Sequence, residues 1–176
     1  FTLTQAAPCT YALAPATRPA GPMAATGWRW VIVGAGPYRA ALERAVAHHG
    51  LDRHVIFAGR ALDADLHAWY EAATVFVHPT RYEGSSLVTL EAMAHRRPVV
   101  ASRAGGLPDK VRSGETGWLV QPGDSGALSM ALEEAFEARR EWPSLGEAGR
   151  RLVEREFSWT AAIARLMDVY RDLLDR

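Results

Sequence analysis

Disulfide chemistry is the first thing this chain excludes. Its 176 residues hold a single cysteine, Cys9, so no internal disulfide can form, and a reducing compartment suits it. An excess of either charge is also missing. Lys plus Arg total 20 and Asp plus Glu total 20, which leaves no basic footprint for a nucleic acid. Apolar runs fall far short of the ~20 residues that a membrane helix needs. No stretch joins a basic start to an apolar middle as a secretory signal does. Beyond His78, the histidines show no metal-ligand spacing. The first residue is Phe1 rather than Met, which points to a start inside a longer chain. What is present is a hydrophobic content of 48%, enough for one domain with a real core.

Residues 1–27 contain Pro8, Pro15, Pro19 and Pro22, with Gly21 and Gly27, and no helical period. They are expected to be irregular or disordered. From Trp28 onward the pattern changes. Short β-rich runs at Trp28 to Val33, His54 to Ala58, Thr74 to His78, Pro98 to Ser102 and Trp118 to Val120 alternate with helical or loop stretches. Such alternation predicts an α/β domain over 28–176, a Rossmann-like parallel sheet with helices on both faces. Ligands of such folds bind at the carboxyl ends of the strands. Three more helices follow the last strand: one capped by Asp124, one over Leu145 to Glu156, and one over Ser158 to Leu174. An apolar stripe on the last, through Ile163, Leu166, Met167, Tyr170 and Leu173, reads as core or docking surface.

Two tempting motifs fail on inspection. Val33-Gly34-Ala35-Gly36-Pro37 follows a strand, but Arg39 stands where a dinucleotide fingerprint needs glycine, and the next strand ends in Gly59-Arg60 rather than an acid. Asp63-Ala64-Asp65 has the spacing of a metal-binding pair, but it opens a helical pattern. It reads as N-terminal capping there.

The organising stretch runs from His78 to Ser102, HPTRYEGSSLVTLEAMAHRRPVVAS. A strand ends, the turn Glu83-Gly84-Ser85-Ser86 bends the chain, and a helix starts with Ser86 as its N-cap. The free N–H groups of that first turn make a ready anion site. Glu91 lies five residues in, roughly 7–8 Å along the axis at about 1.5 Å per residue. A carboxylate at that distance from a phosphate can accept both hydroxyls of a ribose lying beside the helix. Glu83, on the other side of the phosphates, is placed to meet an attached sugar. Leu87, Leu90 and Ala94 are expected to face the sheet, with Val88 and Glu91 beside them. Arg96 and Arg97 read as a solvated pair at the helix end, and His78 as a hydrogen-bonded structural residue. Arg103 to Asp109 reads as a loop starting a short helix, with Gly105 and Gly106 letting backbone approach a ligand.

EGSSLVTLEAMA, followed in order by PVVAS, GGLPD and GETGWLVQPGD, resembles the nucleotide-sugar half of family 4 (group 1) retaining glycosyltransferases of GT-B fold. The resemblance covers about Trp28 to the C-terminus. It implies a nucleoside-diphosphate sugar as substrate, with no cofactor and no metal. Glu83 would be the catalytic-site carboxylate at the donor sugar. Gly84, Ser85, Ser86, Leu87 and Val88 would meet phosphate and sugar, and Glu91 the ribose. Gly105 would face the donor, and Gly59 and Arg60 would lie near the base. The family's Arg-Lys loop has no counterpart in 1–27, where Arg18 is out of context. An Asp, Asp109, replaces the usual Glu after the proline, and Arg96 replaces a frequent glycine.

On this basis the chain is expected to be the donor-binding part of a transferase whose N-terminal acceptor-binding domain lies elsewhere, and to be inactive alone. A cytoplasmic place, peripheral at the inner membrane face as part of a larger enzyme, goes with that expectation. A non-catalytic or truncated remnant is one alternative. A sugar-nucleotide epimerase or phosphorylase of the same fold is another.

Overall fold

Apolar residues at both parities along the central strands dictate a sheet buried on both faces. A computed structural model describes residues 10–15 and 28–175 and contains that sheet. Its strands are β1 (Thr10–Pro15), β2 (Trp28–Val33), β3 (Val55–Gly59), β4 (Val75–His78), β5 (Val99–Ser102) and β6 (Gly117–Val120), in the order β3-β2-β1-β4-β5-β6. β2 with β3, β4 with β5, and β5 with β6 pair in parallel. β1 runs antiparallel to both β2 and β4, with Tyr11 opposite Ile32 on one side and Val77 on the other. The sheet is therefore parallel except for its inserted strand.

That strand corrects the expectation of irregular structure across 1–27. Residues 10–15 are extended and hydrogen-bonded on both sides, and the rest of 1–27, including Cys9 and Arg18, lies outside the described residues. The proline-rich context hides a strand whose pairing comes from the slot between β2 and β4 rather than from any local period.

Six helices accompany the sheet among the described residues: α1 (Arg39–His48), α2 (Asp63–Ala72), α3 (Leu87–Ala94), α4 (Ser125–Glu137), α5 (Trp142–Leu152) and α6 (Trp159–Leu174). A single π-helical turn, Val153–Phe157, joins the last two. Period two sorts the core. Phe76, Val99 and Ala101 point to one face and meet Tyr70, Ala92, Met93 and Leu152. Val75, Val77 and Val100 point to the other and meet Trp118, Ala131, Ala135 and Leu145. Ser86, Asp124 and Ser158 cap α3, α4 and α6, accepting from the backbone N–H of Thr89, Ala127 and Ala161.

Four local expectations change. α3 buries Thr89, Ala92 and Met93, whereas Leu87 is 66% exposed, because the buried face runs through Ser86, Thr89, Ala92 and Met93 rather than through Leu87, Leu90 and Ala94. α2 has Leu62, not an aspartate, at its N-cap, with no side-chain cap bond. Asp65 falls inside the first turn, where its charge still suits the helix dipole. Leu107 to Asp109 form turns rather than a helix. Arg97 is not solvated: its guanidinium donates to the Ala73 carbonyl at 2.8 Å. Arg96 ends α3 with φ of 56°, taking up the left-handed conformation that a glycine would adopt freely.

Candidate functional site

Three chain segments meet at the carboxyl end of β4: the turn after His78, the loop after β5, and the start of α3. Sequence proximity supplies only part of this. The Glu83 carboxylate lies 3.0 Å from Nε2 of His78, whose side chain is only 5% exposed. An ionised carboxylate can only accept, so the shared proton sits on Nε2. Nδ1 of His78 is buried with no hydrogen-bond partner. The imidazole stacks on Phe76 at 6.0 Å between centroids. His78 is thus the hydrogen-bonded residue its sequence context indicates, and its partner is Glu83.

The Gly105 loop is welded to the Glu83 turn. The Gly106 N–H donates to the Gly84 carbonyl at 3.1 Å. Gly105 has φ of 49°, and its Cα hydrogen faces the Glu83 carbonyl, where a Cβ would stand 1.5 Å from the oxygen. Lys110, next along this loop, is 3% exposed. Its Nζ donates to Ser85 Oγ at 3.0 Å. Burial pushes this ammonium below the ordinary lysine range, and the carboxylates of Asp109 and Glu83 pull it partly back.

α3 starts within the same cluster. Ser86 Oγ accepts from Thr89 N at 3.3 Å and shares a hydrogen bond with Thr89 Oγ1 at 2.8 Å. That leaves the first N–H groups of the helix, at Leu87 and Val88, without intrahelical acceptors. Glu91 stands farther along α3, half-buried. Its Oε2 accepts from the Tyr70 hydroxyl at 2.8 Å, and the Tyr70 ring is fully buried between Phe76 and His95. Removing that hydroxyl takes one charge-assisted hydrogen bond from a half-exposed carboxylate. Tyr70→Phe is therefore expected to lower the unfolding free energy by about 1 kcal/mol, read as a lower urea midpoint at unchanged slope.

The structure joins Glu83, Gly84, Ser85 and Gly105 directly, with Ser86, Leu87, Val88 and Glu91 on the helix that continues from them. Gly59 and Arg60 are not part of this cluster. They end β3 at the far edge of the sheet, where the Gly59 carbonyl accepts from Gly34 N at 2.7 Å. Sharing the carboxyl-end rim is their only relation to it among the described contacts. Exposed Arg60, Arg81 and Arg103 each follow the carboxyl end of a strand, and the loops at these strand ends also carry Glu83, Asp109 and Asp124. No three His, Cys, Asp or Glu side chains converge as a metal site among the described residues. Sequence reasoning missed Lys110 and Tyr70. A lysine after Leu-Pro-Asp looks solvated, and a tyrosine on an apolar helix face looks like plain core. A second cleft lies at the other end of α3, lined by Glu71, His95, Arg97, Arg150 and Glu154.

Residues 12–138 match the family described as "Glycosyl transferases group 1". The chain is 38% identical over 135 residues to the MMP alpha-(1->4)-mannosyltransferase of Mycolicibacterium hassiacum, covering 76% of this chain and 33% of that protein. Among solved structures it resembles sucrose-phosphate synthase from Thermosynechococcus elongatus, with a TM-score of 0.71 and 36% identity over 82% of this chain and 38% of that one. It also resembles the C-terminal domain of the group 1 glycosyl transferase LpcC from Francisella tularensis, with a TM-score of 0.63 and 30% identity over 69% of this chain and 63% of that one. The chain spans between 33% and 38% of the length of the first curated relatives it matches.

Proposed function

The chain belongs to the group 1 glycosyltransferases, and on that premise we propose that its six-stranded sheet, β1 included, and the helices around it form the donor-binding domain of a retaining, metal-independent GT-B enzyme. The donor is a nucleoside-diphosphate hexose, and the acceptor is a hydroxyl held by an N-terminal domain outside this chain. The observation that carries the reading is the weld between the Glu83 turn and the Gly105 loop at the start of α3. It holds a carboxylate, a rigid backbone corner and a helix N-terminus in one place.

In this reading the diphosphate lies against the N–H groups at Leu87 and Val88 and the exposed hydroxyl of Ser85, while the buried Ser86 hydroxyl serves as the cap that shapes this corner. The amino-terminal end of the α3 dipole stabilises the charge that grows on the leaving diphosphate. Glu83, steadied by His78, accepts from hydroxyls of the sugar and fixes its face toward the acceptor. Glu91, steadied by Tyr70, takes the ribose hydroxyls. Gly59 and Arg60 border the base. No helix among the described residues is long and apolar enough to cross a membrane. We place the enzyme in the cytoplasm, with any membrane contact peripheral.

The exposed apolar side chains of α6, including Trp159, Ile163, Leu166 and Leu173, support docking of this helix on the acceptor-binding domain. Alone, the chain is expected to show little or no sugar transfer.

The test is calorimetric titration of the chain with UDP, GDP and ADP, beside Glu91→Ala. One diphosphate is expected to bind and to lose about tenfold in affinity on Glu91→Ala, the loss of a charge-assisted pair of hydrogen bonds. Equal affinity for the variant would remove Glu91 from the site. Robust transfer by the isolated chain would overturn the two-domain reading.

A further inference from the structure

We propose that Lys110 is a positioning residue for the donor's diphosphate, acting through Ser85. Its buried ammonium occupies a lone pair of the Ser85 hydroxyl and so leaves the hydroxyl proton for a phosphate oxygen. This rests on the donor-site reading above and adds a residue and a role to it.

The geometry is one-sided. Lys110 is 3% exposed, while Ser85 stands exposed on the turn. Nζ donates to Ser85 Oγ at 3.0 Å. It also lies over the Phe157 ring, 5.8 Å from the centroid. Ser85 Oγ is the one hydrogen-bond acceptor that this ammonium meets among the described residues. An ammonium has only donors, so Ser85 must accept from it. The hydroxyl then has its own proton to give, and its exposed side is the side a ligand would approach. A cation behind the hydroxyl strengthens that bond to an anion, since hydrogen bonds in a chain polarise one another.

Packing alone does not call for a lysine here. Leu107 and Val111 are fully buried on either side of Lys110 in the chain, and Phe157 packs against their cluster. Burying a charge in such surroundings costs stability unless it is well paired. A methionine would fill nearly the same space without that cost. A structural lysine and a positioning lysine therefore give opposite results on replacement.

The test compares Lys110→Met, Ser85→Ala, Ser85→Thr and the double variant Lys110→Met/Ser85→Ala. Each is titrated with the diphosphate that the wild-type chain binds and with the matching monophosphate, and each is unfolded in urea. Lys110→Met is expected to keep or raise the urea midpoint while weakening the diphosphate about tenfold, with a change of less than about twofold for the monophosphate. Ser85→Ala is expected to weaken the diphosphate to the same degree but to lower the urea midpoint, since it leaves the buried ammonium without its acceptor. Ser85→Thr is expected to retain binding, and the double variant to bind no worse than the weaker single one.

Unchanged diphosphate affinity in Lys110→Met, or losses from the two single changes that multiply in the double variant, would overturn the proposal. Should Lys110→Met fail to fold, full diphosphate affinity in Ser85→Ala would overturn it alone. Affinity that falls on Glu91→Ala but not on Lys110→Met would leave the donor site standing and remove only Lys110. A folded wild-type chain that binds no diphosphate would overturn both readings.

Discussion

Gly105→Ala is expected to lower the unfolding free energy by about 3 kcal/mol and to abolish nucleoside-diphosphate binding by the molecules that still fold. Two costs combine. The residue sits at φ of 49°, and a Cβ would stand 1.5 Å from the Glu83 carbonyl oxygen and 2.6 Å from its carbon. Neither partner can step aside cheaply. The Glu83 turn is held by His78 at 3.0 Å, by Gly106 N–H to the Gly84 carbonyl at 3.1 Å and by Lys110 to Ser85 at 3.0 Å. The added methyl must therefore drive the Gly105 loop away from the turn. That displaces Ser85 and the entrance to α3, where the diphosphate is proposed to lie. Urea unfolding and calorimetry read the two effects separately. Wild-type stability and affinity in this variant would mean that the two loops are free to separate.

The same weld marks the limit of what the sequence discloses. Its two halves are visible as motifs: a Glu-Gly-Ser-Ser turn before a helix, and a Gly-Gly-Leu-Pro-Asp loop after a strand. Strands β2 to β6 are visible to within a residue because their β-branched runs are bounded by turns. The Ser86, Asp124 and Ser158 caps are visible because a cap is a local event, complete within three residues.

What escapes is whatever a distant segment completes. β1 has prolines around it and no telling period, and it exists as a strand through its pairing with β2 and β4. Lys110 becomes a buried cation because Phe157, from the turn before α6, covers it. Tyr70 becomes a partner of Glu91 only when α2 is laid beside α3. Leu87 misleads in the opposite sense. It fits an apolar face by periodicity, but α3 turns the face through Ser86, Thr89, Ala92 and Met93 to the core, which leaves Leu87 outside it. The candidate site was legible in its carboxylates and glycines, and illegible in the side chains that hold them still.

Gly146→Ala is expected to separate stability from ligand binding. Gly146 lies within α5, packed on the end of α3, and a Cβ there would stand 2.1 Å from the Arg96 carbonyl oxygen and 2.7 Å from its carbon. Arg96 is a poor candidate for retreat. It already occupies the left-handed region at φ of 56°. Its N–H donates to the Met93 carbonyl at 2.9 Å, Arg97 N–H donates to Ala92 at 3.0 Å, and the Arg97 guanidinium holds Ala73 at 2.8 Å. Alanine favours the helix over glycine by about 1 kcal/mol. Forcing a methyl into this contact costs about 3 kcal/mol, so the net expectation is a loss of about 2 kcal/mol. The contact lies at the carboxyl end of α3, whereas the proposed diphosphate site lies at its amino end. The folded fraction of Gly146→Ala should thus bind the diphosphate within about twofold of the wild type, as distant, independent sites do. An affinity loss as deep as that of Gly105→Ala would mean that α3 moves as a rigid rod between its two ends. Glu91 and the amino-terminal N–H groups would then be placed as much by the α5 contact as by the Gly105 loop.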